Sequence, residues 1–345
     1  MRLRAITLGV FVALGSLVAP FGAPSSFAAD PGKRIPLPGG EGGIGLDDMG
    51  YASALGRIVV PAGRTGTIDL IDPKSGEIAR VSGFRSSSPG KGHGEGTTSA
   101  DEGDGYLFAS DRTALELAVV AEKPLGVVSR AKLAGSPDYV RWVESTNEIW
   151  VTEPDSEKIE VFRLRADSPP VAEHAAAIAV PGGPESLLID NARGRAYANL
   201  WKNQTVAIDL KSRAVVARWP NGCGGSRGLA LDRRRGFLFV ACTEGKVTTI
   251  DVESGKTVSS AAAPAGIDII DYNASLAHLY VPGAKDARMA ILAVAKDGAL
   301  AELGRVATAP RAHCVVSEPG GTVYVCDPEG GAVIEFRDPY PGENP

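Results

Sequence analysis

Pro184-Glu185-Ser186-Leu187-Leu188-Ile189-Asp190 is followed by Arg195-Ala196-Tyr197-Ala198-Asn199 and then by Thr205-Val206-Ala207-Ile208-Asp209. The same unit returns as Ser226-Arg227-Gly228-Leu229-Ala230-Leu231-Asp232, Phe237-Leu238-Phe239-Val240-Ala241 and Val247-Thr248-Thr249-Ile250-Asp251. Tyr197 to Phe239 and Asp209 to Asp251 are both 42 residues. A period in the forties, built from short apolar strands and polar turns, reads as one propeller blade per repeat.

Working outward, an aromatic residue marks the second strand of six units: Phe108, Trp150, Tyr197, Phe239, Tyr280 and Tyr324. The gaps between them are 42, 47, 42, 41 and 44 residues. These rings are expected to pack between neighbouring blades. A seventh unit, first in the chain, lacks the aromatic but keeps Ile58-Val59-Val60 and the turn Asp72-Pro73-Lys74-Ser75-Gly76, which matches Asp251-Val252-Glu253-Ser254-Gly255. Gly at the end of that turn accepts positive φ cheaply. Ile35-Pro36-Leu37-Pro38-Gly39-Gly40 echoes the blade ending Ile178-Ala179-Val180-Pro181-Gly182-Gly183, while little chain remains after Phe336. The expectation is an all-β, seven-bladed β-propeller whose final blade is closed by the N-terminal strand. Closure of this kind leaves no exposed sheet edge.

Residues 1–28 read as a secretory signal: Arg2 and Arg4, an apolar run over Ile6–Val18, and Ser26-Phe27-Ala28 as a small-x-small cleavage site. One propeller domain over 29–345 is expected, exported to the periplasm or beyond the cell, monomeric, with no transmembrane segment in the mature chain. Loss of the two leader arginines takes the net charge from −5 to −7. An acidic surface argues against nucleic acid as a partner. Export favours disulfides. Cys314 and Cys326 flank a hairpin with a three-residue loop at 319–321, and Cys223 and Cys242 fall at one edge of a single blade. Two local disulfides are expected, with cysteine metal ligation as the alternative.

Val323-Tyr324-Val325-Cys326, Ile149-Trp150-Val151-Thr152 and Leu279-Tyr280-Val281-Pro282 are similar to the YVTN-type repeat. Together with Gly90-Lys91-Gly92-His93-Gly94 and the Cys223–Cys242 segment around Gly228-Leu229-Ala230-Leu231-Asp232, the chain resembles bacterial exported YncE-like propellers over about residues 34–338. The first unit and Asp101-Glu102-Gly103-Asp104 depart most from the repeat. The resemblance implies the fold and export, and implies no particular ligand.

Function in such a frame lives on loops at the channel mouth. Counting twelve residues back from each aromatic gives the mouth position of each inner strand: Gly96, Asp138, Glu185, Arg227, Asp268 and Ala312. Arg311 and His313 flank the last, His93 precedes the first, and Asn199 leaves a second strand toward the same edge. Asp138, Glu185, Arg227, Asp268, Asn199 and Arg311 are therefore the candidate ligand-binding residues. His93 and His313 are the candidates for a zinc or copper site or for acid/base work. A neutral hydrated channel, with each carboxylate paired or solvated, is the competing structural reading. No nucleophile elbow, His-Glu-x-x-His, phosphate loop or calcium loop is expected, and no cofactor is demanded. The sequence points first to a non-enzymatic protein that binds a small polar ligand, metal or protein segment at the mouth. The alternatives are a lactonase- or lyase-type enzyme, with His93 or His313 as base and Arg227 as electrophile, and a copper- or zinc-handling protein.

Overall fold

A computed structural model describes residues 32–89 and 94–342. The leader read at 1–28 and the candidate His93 lie outside the described residues. Seven four-stranded antiparallel sheets form the fold, six of them continuous in sequence: 50–82, 97–132, 140–179, 188–220, 226–262 and 271–307. The seventh combines Val315–Ser317, Thr322–Asp327 and Ala332–Arg337 with the N-terminal strand Lys33–Pro36. Numbering these sheets as blades 1 to 7, the first strands of consecutive blades touch all the way round, blade 7 meeting blade 1. This is the closed seven-bladed propeller expected from the repeats. Among the described residues, no helix is long and apolar enough to cross a membrane.

The reason for a ring lies in the second strands. In blade 3, Ile149 and Val151 pack into one apolar cluster with blade 2, whereas Trp150 packs into another with blade 4. Side chains alternate between sheet faces along a strand, so a strand buried on both faces must be apolar throughout. The six aromatics all point the same way round. Phe108 meets blade 3, Trp150 blade 4, Tyr197 blade 5, Phe239 blade 6, Tyr280 blade 7 and Tyr324 blade 1. Val59 holds the corresponding place in blade 1, facing blade 2. Each of the seven clusters thus belongs to an interface between two blades.

Closure sets Lys33 opposite Glu335 and Pro36 opposite Ala332 in antiparallel register. Ile35 enters the cluster joining blades 7 and 1. The turn after this strand crosses the turn before Ala332 so tightly that a Cβ on Gly331 would lie 2.0 Å from the Gly40 carbonyl oxygen, and Gly331 has φ +59. Only glycine fits there without displacing backbone.

Both disulfides form as expected, Cys223–Cys242 and Cys314–Cys326, with no free cysteine among the described residues. They close loops of 19 and 12 residues, for which restriction of the unfolded chain stabilises by about 3 kcal/mol each.

Gly331→Ala is expected to lower stability by about 1–3 kcal/mol or more, because a left-handed backbone and a backbone clash coincide. Chemical denaturation measures it. The same substitution at Gly105, also at positive φ but with nothing near its Cβ, isolates the clash from the φ cost.

Candidate functional site: the mouth of the channel

The twelve-residue register places its charged positions together. Asp138, Glu185, Arg227 and Asp268, from four consecutive blades, line one cavity of about 260 Å³. Counting back from Val59 instead of an aromatic reaches Asp47, which lines the same cavity and completes the ring of seven positions. Sequence reasoning missed it because blade 1 has no aromatic from which to count.

A second ring was also missed. Four residues after each aromatic stand Arg112, Pro154, Trp201, Thr243, Ala284 and Pro328, where the second strands leave toward the mouth. The first three line the small cavity, and the last three line an adjoining cavity of about 610 Å³. This larger cavity also receives Lys285, Arg311, His313 and the glycine-rich segment 42–45. Arg227 and Asp268 line both.

Arg227 is aimed by a bulge. The blade 5 ladder shifts between Ser226 and Leu229, so that Arg227 and Gly228 stand outside the regular pairing. Bulges beside sites characteristically redirect a side chain. Gly228 donates to the Asp268 carbonyl at 2.9 Å, which locks the bulge to blade 6. The Cys223–Cys242 bridge holds the strand end paired to Ser226. The Arg227 guanidinium lies 3.2 Å from Glu185 Oε1 and 4.7 Å from the centre of the Trp201 ring. Trp201 rests on Gly183, where a Cβ would come within 2.7 Å of the indole nitrogen.

Asn199 departs from its expected role. It is buried, its amide donates to the Arg227 carbonyl, and its Oδ1 accepts from Thr205 at 2.7 Å. It therefore steadies the strand that carries Arg227 and is not among the residues lining either cavity.

Contrary to the expectation of none, one Gly-x-Ser-x-Gly spacing occurs, at Gly224-Gly225-Ser226-Arg227-Gly228. Ser226 is buried, donates to the Lys202 carbonyl at 2.7 Å and accepts from Asn221 at 2.8 Å. It enters a strand, not a strand-to-helix turn. The elbow geometry that exposes a nucleophile is therefore not built here.

Arg112 reaches across the small cavity, 2.5 Å from Asp138 and 3.7 Å from Asp47. Burial and then repulsion from Asp138 push the Glu185 carboxyl from 4.5 up to about 9, with Arg227 opposing. Burial raises Asp47 from 3.8 to about 7, against the pull of Arg112. The contact with Arg227 is geometrically sound, yet a single exposed-side guanidinium does not offset desolvation plus neighbouring carboxylates. Glu185 Oε2 is buried with no hydrogen-bond partner.

His313 presents its ring differently from a free base. Nδ1 lies 2.7 Å from the Arg311 carbonyl oxygen and Nε2 2.9 Å from the Leu46 carbonyl oxygen. Both nitrogens therefore face carbonyl acceptors, whereas a base needs one nitrogen open to accept a proton. His313, Cys314 and Cys326 offer ligand atoms within 4.8 Å of one another, but the two sulfurs are joined to each other. His174 stands half exposed on an outer strand near Phe162, and His278 is buried 2.7 Å from Asp338, which also accepts from Tyr280.

No family model and no curated protein sequence matches this chain. Solved structures match as folds. A chain from the mitotic checkpoint complex superposes with a TM-score of 0.74 at 12% identity, covering 96% of this chain and 99% of its own. Hydrazine synthase of Kuenenia stuttgartiensis gives 0.70 at 13%, covering 86% and 96%. A streptogramin B lyase gives 0.68 at 12%, covering 88% and 96%. The likeness is one of architecture.

Asp47 and Glu185 hold protons more tightly folded than unfolded. Their contribution to stability is complete below their unfolded values and is lost as pH rises through about 7 and about 9. Thermal stability should therefore decline between about pH 5 and pH 9, and Glu185→Gln should flatten that decline. Melting temperatures of the two proteins across this range test it, and parallel curves would refute the assignment.

Proposed function

We propose that this chain is an exported YncE-like binding protein, non-enzymatic, that takes a small polar ligand at the channel mouth. The observation that carries this reading is the meeting of two charged cavities across Arg227 and Asp268. Side chains from separate blades converge there on rigid strand ends, and a preorganised site loses little entropy on binding. Two disulfides flank it, beside Arg227 and beside His313. Disulfides also suit the oxidising compartment to which a leader would send the chain.

Acid–base catalysis at His313 is less well supported, because both ring nitrogens already face carbonyl oxygens. Metal capture by His313 with Cys314 and Cys326 is less well supported for a related reason, since a disulfide sulfur is a poor ligand compared with a thiolate. The streptogramin B lyase likeness supports the scaffold and carries no activity to this chain.

In a thermal-shift screen of small polar molecules, one class should raise the melting temperature of the native protein. Arg227→Ala should remove most of that rise, with affinity falling about tenfold or more as charge-assisted hydrogen bonds are lost. Protein purified without a histidine tag should hold no stoichiometric zinc or copper by elemental analysis. Stoichiometric metal that disappears in His313→Ala, or ligand shifts unchanged in Arg227→Ala, would overturn the proposal.

A further inference from the structure

The two cavities that meet at Arg227 differ in sign. Five carboxyl groups, Asp47, Asp138, Asp155, Glu185 and Asp268, stand against two guanidinium groups in the smaller one, where burial favours the protonated forms of Glu185 and Asp47 until a cation enters. In the larger one Arg227, Lys285 and Arg311, with the His313 ring beside them, stand against Asp268 and Glu329. Lys285 and Arg311 are exposed, and neither is ion-paired among the described residues. They are solvent-exposed cations at a concave surface, and neither pairs with the Asp268 or Glu329 carboxylates that share the cavity. The acidic side carries the complementary feature: Glu185, 8% exposed, lines the cavity while its Oε2 lacks any hydrogen-bond partner. A buried carboxylate oxygen in that state costs free energy that a donor in the cavity recovers.

Trp201 adds selectivity for what the acidic side would hold. Its indole lines the small cavity and is 40% exposed. An ammonium group is drawn both to carboxylates and to an indole face. The Arg227 guanidinium already lies over the ring at 4.7 Å, so the ring is oriented before any ligand arrives and a ligand ammonium would meet its remaining exposed surface.

We infer that the ligand of this mouth is a zwitterion, with its ammonium group in the small cavity beside Glu185 and Trp201 and its carboxylate in the large cavity beside Lys285 and Arg311. The inference rests on the proposed binding function and narrows it to a substrate class. Arg227 and Asp268 stand at the boundary, so the apolar or polar span joining the two charged ends passes between them. A ligand carrying one charge satisfies one cavity and leaves the other as it was.

The test uses the intact mature protein and unbranched ω-amino acids of increasing length, with alkylamines and alkanoates of matching length as single-charge controls. Calorimetric titration should find one chain length binding at least about tenfold tighter than either control, since each charged end adds a charge-assisted contact. Glu185→Gln should weaken the amino acid and the alkylamine and leave the alkanoate unchanged. Lys285→Ala combined with Arg311→Ala should do the reverse. These two cations are exposed, so that variant tests the idea even where Glu185→Gln alters folding. Alkanoates or alkylamines binding as tightly as the amino acids would overturn the inference and leave the binding proposal standing. No binding across the whole series, with shifts still produced by other polar molecules in the thermal screen, would overturn it equally. Failure of both experiments would remove the binding proposal as well.

Discussion

Each blade of this protein has two apolar faces and no means of covering either one itself. The alternation in the second strands, with Ile149 and Val151 turned to one neighbour and Trp150 to the other, makes every blade depend on two partners. An open row of seven such sheets would expose a face at each end, at about 25 cal/mol for every Å² of apolar surface left in water. The ring is the arrangement with no ends. Lys33–Pro36 pairing with Ala332–Arg337 is consequently more than a terminal ornament. It ties the last blade to the start of the chain and brings the segment 37–49 over the channel, where Ile44, Leu46 and Met49 enter the blade 7–blade 1 cluster.

That segment couples architecture to chemistry. Asp47 reaches the mouth, and Asp48 turns into the channel to meet Arg141 of blade 3 and Ser99 of blade 2. Similar crossings recur around the ring. Asp101 accepts from the Trp142 amide, Asp271 from Ser317, and Asn199 and Asn273 donate to backbone carbonyls of the following blade. Polar side chains on the inner and second strands thus satisfy backbone groups that the short ladders leave unpaired, as buried donors and acceptors require. The disulfides work at another scale, each holding one hairpin inside one blade.

Much of this was legible because repetition converts spacing into geometry. The 42-residue return from Tyr197 to Phe239 specified a blade, and the shared offset of twelve residues predicted that Asp138, Glu185, Arg227 and Asp268 would meet. The offset failed where its landmark was absent: Val59 replaces the aromatic in blade 1, and so Asp47 went unseen. Trp201 and Arg112 went unseen for a different reason. They stand just past the ends of second strands, four residues after the aromatic, an offset outside the count that located the inner-strand positions. Asn199 shows the converse error, since a residue at the right edge of a strand can point beneath the surface and hydrogen-bond to the backbone there. Side-chain direction within a bulge, as at Arg227, also depends on pairing that a single sequence does not display.

The charged mouth is tolerable only because the rest of the ring is so firmly held. Glu185 is kept in a setting that favours its neutral form, beside other carboxylates and with one oxygen unsatisfied. A loose loop in that position would swing the side chain into water and relieve the repulsion. Here the residue stands just ahead of an inner strand, its amide bonded to the Asn199 carbonyl at 2.8 Å, with blade 4 packed on both faces. The backbone cannot withdraw without opening two apolar interfaces. The electrostatic strain is therefore stored against hydrophobic burial, and a cation entering the small cavity would relieve it without any change in the fold. The same logic separates the two signs of charge. Blades 2 to 4 and blades 5 to 7 present different side chains on a frame that does not let them collapse onto one another, so a mouth with an acidic and a basic side persists where flexible loops would neutralise it.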